Sequence, residues 1–212
     1  MTRTPDPQAD RHCRRPGRHR ALRGACAALA AAWLGTMAAA GAQAQPVAAL
    51  DGERRIVLVA ADGTRTEIGT VRFTPTGDGP TSRVAVALHT ERFTDHFLSM
   101  REFKCLPGGT ELSCHVPYPY ANPGTVAPGQ LAWLEHRLLF FFKKPADFGA
   151  KLWNGIYWQL KPTPTGWVGT PQAIDLNRIG APPDQPNEPP YRPALRDDLP
   201  ADARWFRQLL IE

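Results

Sequence analysis

The chain has 212 residues, with 25 Lys and Arg against 20 Asp and Glu, for a net charge of +5. That excess is local: residues 1–44 hold seven Arg and two acidic residues, so residues 45–212 carry 18 of each sign. A neutral remainder without a basic stripe lacks the electrostatic footprint of a nucleic-acid binder, and its 19 prolines impose a domain rich in loops and edges.

Residues 1–44 read as an export signal. Arginines crowd the front (Arg11, Arg14, Arg15, Arg18, Arg20, Arg23), a mostly apolar run follows from Ala25 to Ala40, and Ala42-Gln43-Ala44 ends it ahead of Gln45-Pro46. A charged front, a short apolar middle and an Ala-x-Ala exit are the parts of a secretory signal. The run is shorter than the roughly 20 residues a bilayer span needs. Removal after Ala44 is expected, leaving residues 45–212 as a single globular domain, periplasmic or secreted, with no transmembrane segment. Cys26 precedes most of the apolar run, unlike a lipoprotein cysteine, and Arg14-Arg15 meet Pro16-Gly17 rather than apolar residues.

Five short strands are expected next. Arg55 to Ala60 is β-branched and apolar, Asp62-Gly63 is a hairpin signal, and Thr66 to Phe73 returns. A Pro- and Gly-rich loop follows, then Arg83 to His89 in alternation. Phe97 to Cys105 and Glu111 to Val116 read as the arms of a hairpin around Gly109-Thr110. That register pairs 108 with 111, 107 with 112, 106 with 113 and 105 with 114. Cys105 and Cys114 then face each other, and in an oxidising compartment a disulfide is the default.

Leu131, Leu134, Leu138 and Phe141 recur at helical spacing, so a helix is expected over 131–142, with a second over 146–153. Tyr157 to Lys161 and Trp167 to Leu176 read as another hairpin, with the Tyr157 and Trp158 rings on opposite faces. Residues 178–200 hold seven prolines and read as a Pro-rich surface strap, and 201–212 as a docked C-terminal element, strand or helix. The expected fold is mainly β: an antiparallel meander closing into a barrel or half-barrel, with one or two helices (about 128–153) inserted between strands. The alternative is α+β, with helices on one face of a twisted sheet.

Two groups of residues could carry chemistry. His89, Glu91, Asp95 and His96 form the densest set of potential metal ligands. If the strand ran on past His89, that residue and Glu91 would share a face. Tyr118, Tyr120, Trp158 and Trp167 are candidates for a platform under a sugar ring, an apolar ligand or a peptide. The three serines beyond the leader, Ser82, Ser99 and Ser113, sit in no nucleophile motif, and no cofactor motif is present. The expected function is therefore a non-enzymatic ligand-binding or envelope accessory module using its aromatic loops. Its partner would be a small molecule, a glycan or an envelope protein, not nucleic acid. The alternative is a small metal-dependent hydrolase built on the 89–96 cluster.

Overall fold

Short runs of β-branched and aromatic residues, punctuated by Gly and Pro, favour strands over helices, and strands dominate the chain. The computed structural model describes residues 48–77 and 79–212. The export signal expected at 1–44, with Cys13 and Cys26, and the expected start at Gln45 lie outside the described residues. Among the described residues, twelve strands run in chain order: β1 (Gly52–Ala60), β2 (Arg65–Pro75), β3 (Ser82–Leu88), β4 (Thr94–Leu98), β5 (Arg101–Gly108) and β6 (Glu111–His115), then β7 (Thr125–Val126), β8 (Phe140–Lys143), β9 (Gly155–Thr163), β10 (Gly166–Ile174), β11 (Asp197–Asp198) and β12 (Phe206–Ile211). Eleven follow one path, β4-β5-β6-β8-β9-β10-β12-β1-β2-β3-β7, and β11 adds to β10. Every pairing is antiparallel. The path ends at β4 and β7 without joining them, so the sheet is an open half-barrel.

Both faces of the middle strands are covered. Along β9, Ile156, Trp158 and Leu160 belong to one core with Ile56, Leu58, Phe73, Leu134, Leu138 and Phe140. Tyr157 faces the other way, into a second core with Phe103, Phe141, Leu176 and Tyr191. The second core holds the disulfide. Cys105 and Cys114 are bonded, with Cα atoms 3.9 Å apart and no solvent exposure. The hairpin register is 105 with 114, 106 with 113, 107 with 112 and 108 with 111. Gly109 opens its two-residue turn at φ +56°, a conformation that favours glycine.

Three expected elements differ. The strand expected over 97–105 is broken by a second two-residue turn at Ser99 and Met100, both with positive φ (51° and 70°), which pairs Leu98 with Arg101. Ser-Met carries no turn signature, so the sequence conceals it. The helix expected over 131–142 is only one turn, α1 (Ala132–Glu135), running into a 3-10 turn at His136–Leu138. The aromatic run that follows becomes β8, paired with β6 and β9. Phe140 enters the first core and Phe141 the second. A strand buried on both faces has no polar alternation, and here its apolar residues extended a helical spacing. The helix expected over 146–153 is replaced by loop and a 3-10 turn at Leu152–Asn154. Pro145 and Gly149, the latter at φ +70°, stand within that stretch.

Residues 178–200 run largely without regular structure, apart from a 3-10 turn at Pro193–Leu195 and β11. Tyr191 fixes this segment: its ring is buried in the second core and its hydroxyl donates to the Asp175 carbonyl (3.1 Å). Beyond it, Glu111 accepts from the Trp205 amide (2.8 Å) and from Arg204 Nη1 (2.9 Å), tying the approach to β12 to the disulfide hairpin. Trp205 lies over that turn so closely that a Cβ at Gly108 would stand 2.2 Å from its ring.

Candidate functional site

The end of α1 and the start of the 3-10 turn that follows place a carboxylate and an imidazole, Glu135 and His136, among aliphatic and aromatic side chains. Both are buried. Glu135 Oε1 accepts from the Leu160 amide (2.7 Å) and Oε2 accepts from the Tyr157 hydroxyl. Burial raises the Glu135 pKa above the usual carboxylate range, against the opposing pull of Tyr157, the Leu160 amide and Arg196. The Tyr157 phenol is pushed strongly upward, first by burial and then by the adjacent carboxylate, so it stays protonated.

His136 Nδ1 lies 2.6 Å from the Ala132 carbonyl and Nε2 lies 3.4 Å from the Tyr191 amide. One tautomer satisfies both, with Nδ1 donating and Nε2 accepting. Four rings surround it: Tyr191 stacked at 5.5 Å, and Tyr118, Trp133 and Tyr157 at 5.7, 5.7 and 5.5 Å. Burial lowers its pKa to about 4, so it is neutral near pH 7. Arg196 closes the group: Nε and Nη2 donate to the Tyr191 carbonyl (2.7 and 2.5 Å), and its guanidinium stacks 3.8 Å over the Tyr157 ring.

Glu135 and Arg196 form one wall of a cleft of about 410 Å³. Leu131, Leu160 and Trp167 supply apolar surface, and Gln130 and Gln159 further polar groups. The exposed lining is about as polar as it is apolar, a mixture that suits an amphipathic ligand.

The residues singled out from sequence are scattered. Trp167 lines the cleft and packs on Phe73 at 5.3 Å, whereas Trp158 points into the first core. Tyr118 is buried against Trp133 and His136, and Tyr120, 54 % exposed, touches its edge at 5.5 Å. No ring contact among the described residues joins Tyr118 or Tyr120 to Trp158 or Trp167. The loops therefore form no common platform.

The ligand cluster does not assemble either. The strand stops at Leu88, and Glu91 sits exposed on a 3-10 turn (Thr90–Arg92), so His89 and Glu91 share no strand face. His89 Nδ1 is 3.6 Å from Glu67, and Asp95 pairs with Lys104 at 2.5 Å. Asp95 and His96 are neighbours on β4 and face opposite ways. Among the described residues, no three His, Cys, Asp or Glu side chains gather as a metal site requires.

No local pattern in the sequence joins Glu135, Tyr157 and Arg196. The available signal was a carboxylate set among Leu131, Leu134 and Leu138, since such a group needs partners wherever it is buried. A comparison with family models, curated proteins and solved structures finds no match to this chain.

Proposed function

We propose that this is an exported, non-enzymatic binding module, periplasmic or secreted, that takes a small amphipathic ligand in the cleft between α1, β9 and the Arg196 segment. The observation that carries the reading is the cleft's composition. Leu131, Leu160 and Trp167 offer an apolar wall, while the Arg196 guanidinium and the Glu135 carboxylate mark one polar end. The Cys105–Cys114 disulfide and the leader pattern of residues 1–44 support the compartment.

Protein recovered from a periplasmic extract tests both parts. Intact mass should place the start at Gln45. Titration with 1-anilinonaphthalene-8-sulfonate, an anionic amphipath, should quench tryptophan emission in a saturable way. Gln159→Trp, which fills the cleft from a half-buried position, should abolish saturation without lowering the melting temperature. Equal titrations for both proteins would remove the cleft as the site.

A further inference from the structure

We propose that the tip of the β4–β5 hairpin, together with the 144–153 segment, docks on an anionic lipid bilayer. This inference stands independently of the cleft. Among the described residues, five large apolar side chains are more than half exposed: Met100 (91 %), Phe148 (94 %) and Trp153 (60 %) belong to these two segments, and Phe97 (77 %) stands on β4 just before the tip. The segments are joined: Ser99 Oγ accepts from the Ala150 amide at 2.8 Å, and Leu98, Ala150 and Leu152 each pack against the second core.

Met100 carries the most weight. It occupies the left-handed region at φ +70°, where a side chain is strained and glycine or asparagine is the usual choice. It is also almost wholly in solvent, so neither the backbone nor the core asks for methionine there. Strain held at an exposed apolar residue points to function at that residue.

Charge then selects the partner. Arg101 lies over the Phe103 ring (4.9 Å), on the second face of the sheet, and Lys151 lies 5.2 Å over Trp153. Lys144 is an exposed cation at the start of the 144–153 segment, and none of the three is in an ion pair among the described residues. Glu102 precedes Phe103 on β5 and so faces the opposite side. Asp147 is the acidic neighbour, and its carboxylate accepts from the Lys144 amide at 3.3 Å. Exposed apolar side chains with Lys and Arg on the same two segments, and a tryptophan among them, match the interface of an anionic bilayer, where rings sit at headgroup level and cations meet lipid phosphates.

Vesicles of phosphatidylglycerol and phosphatidylethanolamine, compared with pure phosphatidylcholine, provide the test. The full protein should sediment with the anionic vesicles and be released by high salt. Each cation near the surface contributes about fivefold in affinity, so Lys144→Glu/Lys151→Glu should weaken binding by at least about 25-fold. Met100→Gly/Phe148→Ser alters two exposed positions, leaves the fold intact, and should weaken binding about as much. Brominated lipid should quench Trp153, read as the difference between the wild type and Trp153→Phe. Residues before 48 are common to all these proteins, so the differences report the patch. Equal binding by wild type and variants, or no binding, overturns the proposal. Lipid-free self-association abolished by Met100→Gly/Phe148→Ser would identify a second copy as the occupant and overturn it too.

Discussion

A histidine without exposed surface, ringed by Tyr118, Trp133, Tyr157 and Tyr191, has nowhere to place a charge. His136 is therefore held neutral, with its pKa at about 4. The unfolded chain binds this proton near pH 6.5, so between these values the unfolded state holds more protons than the folded one. Stability should fall as pH drops through 6.5, with the loss complete below about pH 4 and amounting to about 3 kcal/mol for this group. His115, also lowered by burial, acts in the same direction. Glu135 acts oppositely: its raised pKa means that the folded state takes up a proton first, which relieves a buried charge on acidification. Protonated His136 can no longer accept from the Tyr191 amide, and it would face the Arg196 cation, so the loss should begin where Tyr191 anchors residues 178–200. Urea unfolding at pH 7.5 and pH 4.5 measures the effect, and hydrogen exchange locates it. A flat pH profile, or exchange that rises elsewhere first, would contradict the account.

At the level of single elements, the two hairpins at the β4 end of the sheet differ in how well their turns suit them. The β5–β6 turn has glycine where φ is positive, and its disulfide contributes about 2–3 kcal/mol through loop entropy. The β4–β5 turn holds Ser99 and Met100 at positive φ with no glycine. Met100→Gly should therefore stabilise the protein by about 1 kcal/mol, because the left-handed conformation costs about 1–2 kcal/mol for an ordinary residue. Chemical denaturation would show it, and an unchanged or lower midpoint would mean that the methionine packs in solution. The contrast between these turns shows what sequence can reveal. Gly109-Thr110 announced its turn and with it the whole register to Cys105 and Cys114, whereas Ser99-Met100 announced nothing. The helix expected over 131–142 fails for a related reason. Leu131, Leu134 and Leu138 keep helical spacing through one real turn, but Phe140 and Phe141 belong to a strand buried on both faces, whose apolar pattern has no period of its own.

For the whole molecule, the decisive pairing joins distant parts of the chain. β12 lies between β1 and β10, pairing Ile56 with Ile211 on one side and Trp167 with Ile211 on the other. Without it, the sheet path separates into β4-β5-β6-β8-β9-β10 and β1-β2-β3-β7. Phe206, Leu209 and Ile211 are all buried in the first core, at about 1.5–3 kcal/mol for each large side chain. The apolar character of 205–211 was plain in the sequence, and so was its need for cover. Its place in mid-sheet was not, because strand order depends on contacts some 150 residues apart that leave no local mark. The Glu135–Tyr157–Arg196 group leaves no local mark for the same reason, since its members converge only once α1, β9 and the 178–200 segment lie together. A chain ending at Ala203 should lose cooperative unfolding, and a synthetic peptide spanning Arg204 to Glu212 should restore it. The peptide should pair on both sides and recover the Glu111 contacts to Arg204 and to the Trp205 amide. Recovery of a sharp thermal transition only when the peptide is added would establish β12 as the strand that unites the two halves. A shortened chain that still melted cooperatively alone would show that the two cores hold without it.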